Sequence, residues 1–387
     1  MFRQFSIGTN VNVYQAFGLV TFFACIKRLS QDIATLQIHI YEQRNEGSRM
    51  QFKLVTDHPA RTLVNISPNA YSTAAEMWEN AIAYALFTGF GYIRIVRDSR
   101  TAAIQELVFY RSHNVNPYFD INGRLIQFDI TGENTKVSAD DVLVIKNFLG
   151  VNPVTQFNNM LGLSISAEKY AQMYFGNGGS TEGYIASPTG LNTNQTEGIR
   201  KNWKEAKAKG DTPMLEYGLE YKVVNGRPVD SELNDTRNSN DKQICRIFGV
   251  PPQLVGIDSA TKYDSVEAMA THYQKFVLRP FCVKISQELN MKLLKVSERG
   301  RYCFEHDLDE INGALEEVRW KRYEMGLKNG VLSINDVREK EGLNPVDGGE
   351  IHLVQVNQID LGMIDEYSKK LAAEGPTSGA AANNQNK

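Results

Sequence analysis

Gly249-Val250-Pro251-Pro252 constrains this chain more than any other stretch. Two adjacent prolines remove two backbone donors and push the residue before them out of the helical region, so a helix arriving from about Asp235 must stop at Phe248. Gln253 to Tyr263 then has no apolar period and reads as a loop. Asp264 or Ser265 caps a long helix running toward Leu294, with Val266, Met269, Tyr273, Phe276, Val277, Ile285, Leu289 and Leu293 as its apolar face. Pro280 falls inside that helix and is expected to kink it, because it deletes one i to i−4 bond and crowds the preceding turn.

Upstream of the break, Leu163, Ala167, Tyr170, Ala171 and Tyr174 recur at helical spacing and predict an amphipathic helix over 159–175, ended by Gly176-Asn177-Gly178-Gly179. Between it and the Asp235 helix lie a short strand at Tyr184 to Ala186, a Lys-rich helix over 195–209, and strand material around Leu215 and Tyr221 to Val224. Two helices therefore bracket a compact insertion. The first 150 residues read as mixed, with strands outnumbering helices. An apolar helix over 20–34 leads into a strand at Ile38 to Tyr41, and Asp57-His58-Pro59 opens a helical turn. Ser67-Pro68-Asn69 is a turn, after which Ser72 or Thr73 caps a helix running to Thr88, with Glu76 placed for a capping box. Strands follow at 92–97, 107–110, 123–130 and 142–147. Late in the chain come a strand at Tyr302 to Glu305 and helices near 315–328 and 333–342, the second with a capping-box-like start at Ser333 and Asp336. From Ala372 onward the chain has almost no apolar payload and is expected to be disordered.

At 387 residues the chain needs two or three packed units. Its longest apolar runs, Phe17 to Ile26 and Ala81 to Phe87, fall short of the roughly 20 residues that span a bilayer, and the N-terminus lacks the shape of a secretory signal, so synthesis in the cytosol is expected. Cys25, Cys245, Cys282 and Cys303 are far apart, with no Cys-x-x-Cys, and read as buried, reduced thiols. A formal net charge of −3 argues against a protein that grips nucleic acid by wrapping its phosphates.

The chemistry of an enzyme is hard to find. Gly89-Phe90-Gly91 precedes a strand, whereas a dinucleotide fingerprint opens a helix, and Gly176 to Gly179 lacks the Gly-Lys-Ser/Thr ending of a phosphate loop. Glu305, Asp307, Asp309 and Glu310 join a strand to a helix and suit the helix N-terminus better than a divalent cation. His113, His272 and His306 have no Ser or Cys nucleophile in a strand-turn-helix setting. No catalytic residue, cofactor or metal site is expected, which speaks against an ATP-driven packaging nuclease. Lys201, Lys204, Lys207 and Lys209 form a basic stripe offset by Glu197 and Glu205; it is either a solvated face or a dock for an acidic partner.

Several stretches in order resemble the phage portal family typified by the HK97-type portals. They are Ala24 to Leu29 running on to Leu36-Gln37-Ile38-His39-Ile40-Tyr41, His58-Pro59, Ser67-Pro68-Asn69, and Met77-Trp78 through Thr88-Gly89-Phe90-Gly91-Tyr92. The most specific is Arg246-Ile247-Phe248-Gly249-Val250-Pro251-Pro252, followed by Leu278-Arg279-Pro280 and Leu332 to Arg338, so the resemblance runs from about Val20 to Gly349. It implies an α+β portal fold with a mixed α/β wing, a helical stem, a small α/β clip, a long kinked tunnel helix and a helical crown. The expected boundaries are an N-terminal arm at 1–19, wing at 20–158, stem helices at 159–178 and 234–249, and clip at 179–233. A tunnel loop at 250–264, tunnel helix and second wing part at 265–309, crown at 310–371 and disordered tail at 372–387 complete them.

The resemblance further implies a ring, commonly a dodecamer, at one capsid vertex of the virion, assembled in the host cytoplasm. Its partners would be the major capsid protein, the terminase large subunit, a head-completion or adaptor protein, and double-stranded DNA passing through without tight binding. On the loop's composition, Asp258, Ser259 and Thr261 are expected to line the narrowest point, with Lys262 making a weak phosphate contact. Lys201, Lys204, Lys207 and Arg227 are expected to meet the motor and adaptors.

Overall fold

The computed structural model describes residues 11–46, 49–176, 183–209, 214–215, 218–223, 229–257, 263–308, 316–341 and 343–352. The chain forms two compact units, Met1–Leu308 and Asp309–Lys387.

In the first unit a helix pair makes the core. Helix α1 (Val13–Phe17) leads into α2 (Val20–Ala34), which buries Phe22, Cys25, Ile26, Leu29 and Ile33 at helical spacing. Short α3 (Ala60–Asn65) precedes α4 (Ala74–Thr88), whose Met77, Trp78, Ala81, Ile82 and Ala85 pack against α2. Each large side chain buried here stabilises the fold by about 1.5–3 kcal/mol. Trp78 also donates its indole N–H to the Val64 carbonyl (2.9 Å), so its one polar atom is satisfied. Thr73 caps α4 by accepting from the Glu76 amide at 3.2 Å, one half of the expected capping box.

Gly89 ends α4 in the left-handed region (φ 102°), and β3 (Phe90–Arg97) follows at once, as a turn rather than a nucleotide fingerprint requires. Strand β3 is central in an antiparallel sheet between β4 (Ile104–Tyr110) and β8 (Val142–Lys146). Helix α4 lies so close to β3 that a Cβ on Gly91 would stand 2.0 Å from the Ala81 carbonyl oxygen. Asn69 ties the preceding turn to the sheet: its amide donates to the Leu107 carbonyl at 2.8 Å, while its oxygen accepts from the Tyr71 and Ser72 amides.

A second sheet has the order β5 (Val115–Phe119), β6 (Leu125–Ile130), β7 (Val137–Ser138). Strand β5 escapes a reading of the sequence because Pro117 sits within it, and it is tolerated because β5 is an edge. The third sheet joins distant parts of the chain. Strand β1 (Ile38–Glu46) pairs with β2 (Arg49–Leu54) on one side and with β11 (Tyr302–His306) on the other, in the register Ile38 to His306 and Glu42 to Tyr302. Buried Glu42 is held by Arg301 and Arg44, which keep its carboxyl below the usual range.

After short α5 (Pro153–Gln156), helix α6 (Asn158–Gly176) buries Leu161, Ser164 and Ala171, and it packs on α8 (Val229–Phe248). The expected face of α6 is corrected here, because Leu163 and Tyr170 point to solvent. Between the two helices lie β9 (Gly183–Ala186), α7 (Thr193–Lys209) and β10 (Glu220–Val223), with β9 and β10 paired antiparallel.

Helix α8 stops where expected. Gly249 turns left-handed (φ 69°) and the Val250 amide returns to the Cys245 carbonyl at 3.0 Å, after which Pro252–Val255 makes a 3-10 turn. The long helix that follows is α9 (Tyr263–Tyr273), a π-helical segment at Gln274–Leu278, and α10 (Arg279–Lys292). The interruption foreseen at Pro280 is thus a change of helix type just upstream. Proline gives no amide to the carbonyl four residues back, and a wider turn spares that carbonyl the clash. Phe276, expected on the apolar face, is exposed in this widened turn.

The second unit contains α11 (Glu316–Lys328) and α12 (Ile334–Lys340). The capping box at α12 is complete: Ser333 accepts from the Asp336 amide and Asp336 from the Ser333 amide (2.7 Å). Asn335 folds the following segment back, donating to the Val346 carbonyl and accepting from the Val346 amide. The tail from 372 lies outside the described residues. Among the described residues no helix is long and apolar enough to cross a membrane.

Candidate functional site

The insertion between α6 and α8 shows how the basic stripe is presented. Trp203 packs on Tyr221 with ring centroids 5.1 Å apart, which fixes one face of α7 against β10. Lys201 and Lys204 are exposed, three residues apart on the same helix. Lys207 belongs to α7, but its side chain and all of Arg227 lie outside the described residues. Two of the four expected docking residues are therefore brought together.

Asp258, Ser259, Thr261 and Lys262 also lie outside the described residues, but the anchors on either side of them are defined. On the upstream side, α8 meets α2 along a seam of matched rungs. Thr21 Oγ1 donates to Asp241 Oδ1 at 2.6 Å, and four residues on in both helices Cys25 Sγ stands 3.9 Å from Cys245 Sγ. Phe22 and Phe248 close the seam edge to face at 5.3 Å. The contact with the Cys245 thiol, reinforced by burial, pushes the Cys25 thiol up. All four cysteines are free; three are buried as expected, whereas Cys303 is only half-buried. On the downstream side, Tyr273 at the end of α9 donates to Asp32 of α2 at 3.0 Å, and the Gln274 amide reaches the Leu308 carbonyl. Burial, then the Asp32 charge, holds the Tyr273 hydroxyl well above its ordinary value.

Helix α10 is pinned to the outer edge of β8 by polar side chains. Lys292 Nζ donates to the Val142 carbonyl (2.5 Å) and to Glu288 (2.6 Å), and Glu288 accepts from the Val144 amide at 2.9 Å. An open edge strand is thereby covered by an ion pair whose lysine is buried and whose glutamate is half-buried. Beside it runs a cleft of about 670 Å³, whose lining includes Leu125, Leu149, Phe281 and Met291 together with Lys146 and Lys284.

One pairing was invisible in the sequence. Ser286 of α10 and His306 of β11 meet at 2.8 Å, both buried, and desolvation pushes His306 down to about 4. A neutral imidazole sealed from solvent ties helix to strand; it offers a substrate nothing. Asp307, considered above as part of an acidic cluster, contacts His39 at 3.2 Å. Among the described residues no group of three or more His, Cys, Asp or Glu could hold a metal ion.

The arrangement is a scaffold of packed helices and small sheets that carries an insertion between α6 and α8. The family model for phage portal protein matches residues 20–342. The chain belongs to the phage portal family. A portal protein of Enterobacteria phage HK97 is 23% identical over 364 residues, covering 91% of this chain and 85% of the relative. Among solved structures, an HK97-family phage portal protein from Corynebacterium diphtheriae superposes with a TM-score of 0.61 at 14% identity, covering 80% of this chain and 99% of that one. The neck of a native gene transfer agent particle with C12 symmetry gives a TM-score of 0.55 at 22% identity, covering 86% and 92%. The mixed helices and small sheets of this chain are thus a portal fold of the HK97 family. Portal proteins are structural parts of phage particles rather than enzymes.

Proposed function

We propose that this chain is one subunit of a ring of twelve at a single capsid vertex of a tailed phage or phage-like particle, conducting double-stranded DNA inward during packaging and outward during ejection. The match to the portal family across residues 20–342 carries this reading. The likeness to the subunit of a C12 neck supports the ring. In this reading 20–158 and the later part of 265–309 form the wing, and α6 and α8 belong to stem segments 159–178 and 234–249. Segment 179–233 is the clip, 250–264 the tunnel loop with the tunnel helix after it, and 310–371 the crown.

The charge of the chain suits such a passage. Every phosphate neutralised by Lys or Arg adds counterion-release affinity, which a sliding duplex must then break, and a subunit of net charge −3 offers little of it. Asp258, Ser259 and Thr261 would face the duplex at the constriction, with Lys262 as its weak phosphate contact. Lys201, Lys204, Lys207 and Arg227 would meet the terminase large subunit during packaging and a head-completion protein afterwards, while the wing meets the major capsid protein.

Negative-stain electron microscopy of the purified chain, and of particles assembled with it, tests the reading. End-on rings with a central hole that admits duplex DNA are expected. Finding no ring in either preparation would overturn it.

A further inference from the structure

Along the seam between α2 and α8 the side chains meet in register. Thr21 and Asp241 form one rung, and Cys25 and Cys245, one helical turn further along both helices, form the next. Both thiols are free and sealed from solvent, Cys25 at 0% and Cys245 at 1% exposure. Their sulfurs stand 3.9 Å apart, with the Cys25 S–H directed at Cys245 Sγ. A disulfide needs about 2.05 Å, so each sulfur would have to move by about 1 Å, which a side-chain rotation supplies. The Thr21 to Asp241 hydrogen bond and the Phe22 to Phe248 ring contact hold the helices at that separation. Cys282 and Cys303 sit elsewhere, on α10 and β11.

The pair also sits where α8 ends. The Cys245 carbonyl accepts from the Val250 amide at 3.0 Å, so the residue that carries the thiol also caps the turn into Pro251 and Pro252. A bond from Cys245 to α2 would fasten that turn as well as the helix.

We propose that Cys25 and Cys245 are a redox clasp, open as two thiols in a reducing medium and closed as a disulfide by a low-molecular-weight disulfide oxidant. The two thiols are not equivalent. The S–H donated by Cys25 favours the thiolate of Cys245 and holds its pKa below the ordinary value, while the contact with Cys245, reinforced by burial, raises that of Cys25. Cys245 is therefore the attacking sulfur. Its thiolate forms a bond to one sulfur of the oxidant, breaks the oxidant's S–S bond and releases one small thiolate, which takes up a proton. The Cys25 sulfur then gives up its proton, attacks Cys245 Sγ and expels the second small thiol. The two cysteine sulfurs are oxidised, the two sulfurs of the oxidant are reduced, and two hydrogens leave the protein. Because the seam admits no solvent, exchange proceeds through local opening of the seam and is slow.

Incubating the full chain with oxidised glutathione, in buffer and in urea below the unfolding transition, tests the clasp. Remaining thiols are then alkylated in denaturant and the digest is read by mass spectrometry. A Cys25–Cys245 peptide is expected, with Cys282 and Cys303 alkylated and the intact chain lighter by two hydrogens. The oxidised protein is expected to melt about 5 °C higher or more, because the bond closes a long loop in the unfolded chain, and dithiothreitol is expected to reverse the shift. Cys25→Ser is expected to show no shift and Cys303→Ser to keep it. The wild-type peptide map decides the pairing even if Cys25→Ser folds poorly. Recovery of Cys25 and Cys245 as alkylated thiols in both media, pairing of either with Cys282 or Cys303, or a bond that leaves the melting temperature unchanged or lower would overturn the proposal.

Discussion

Gly91 has no side chain because the Ala81 carbonyl leaves no room for one. The obstacle is backbone on both sides, so Gly91→Ala must force α4 away from β3 through the middle of the core. A loss of about 1–3 kcal/mol is expected, measured as a lower urea midpoint at unchanged slope. His306 makes a separate demand. Burial depresses its pKa from 6.5 to about 4, so between those values the unfolded chain binds more protons than the folded one. Its contribution is therefore complete above pH 6.5 and lost as pH falls toward 4, by up to about 3 kcal/mol. Denaturant titrations at pH 7 and pH 4.5 are expected to show that loss, and His306→Gln to flatten it; equal slopes in both proteins would refute the assignment. Neither His306 with Ser286 nor Cys25 with Cys245 was legible in the sequence, because each pair joins residues whose neighbourhood exists only after long-range packing.

At the scale of elements, breaks were easier to read than faces. Gly249-Val250-Pro251-Pro252 ends α8 because proline chemistry is local, and Pro280 announced an interruption whose form, a π turn, depends on what Gln274 and Tyr273 must reach. Helix α6 was misread for a different reason. It is apolar on two sides, and periodicity cannot say which side its own chain covers: Leu161 and Ala171 turn inward, Leu163 and Tyr170 outward. The clamp of α10 on β8 was equally hidden, since Glu288 and Lys292 look like an ordinary surface pair four residues apart. The buried lysine and the two backbone groups of β8 that the pair satisfies make it more than that. Lys292→Met leaves the Val142 carbonyl without that donor and Glu288 with the Val144 amide alone, and is expected to cost about 1–3 kcal/mol, with part recovered by adding Glu288→Leu. Thermal melts of the single and double variants check this, and additive losses would mean that the two side chains act independently.

For the whole molecule, the order of motifs along the chain was the informative signal, each motif being weak by itself. The family and the α+β fold could be read from it, while the expected passage residues Asp258, Ser259, Thr261 and Lys262 lie outside the described residues. Lys201 and Lys204 stand exposed on α7 while Trp203 packs that helix on Tyr221. Lys201→Glu with Lys204→Glu is expected to leave rings intact and weaken terminase binding at least tenfold, about 1.4 kcal/mol, with the deficit shrinking in high salt. Surface plasmon resonance on assembled rings measures it, and unchanged binding would remove the lysines from the interface. The pairing of β1 with β11 carries a consequence for how such a chain is made. Ile38 emerges from the ribosome early, yet its partner His306 emerges only after the segments between them, and Cys245 reaches Cys25 scarcely sooner. For much of its synthesis the nascent chain therefore holds one edge of β1 open and one face of α2 half-covered, and a product truncated before residue 302 keeps β1 paired with β2 on one side alone.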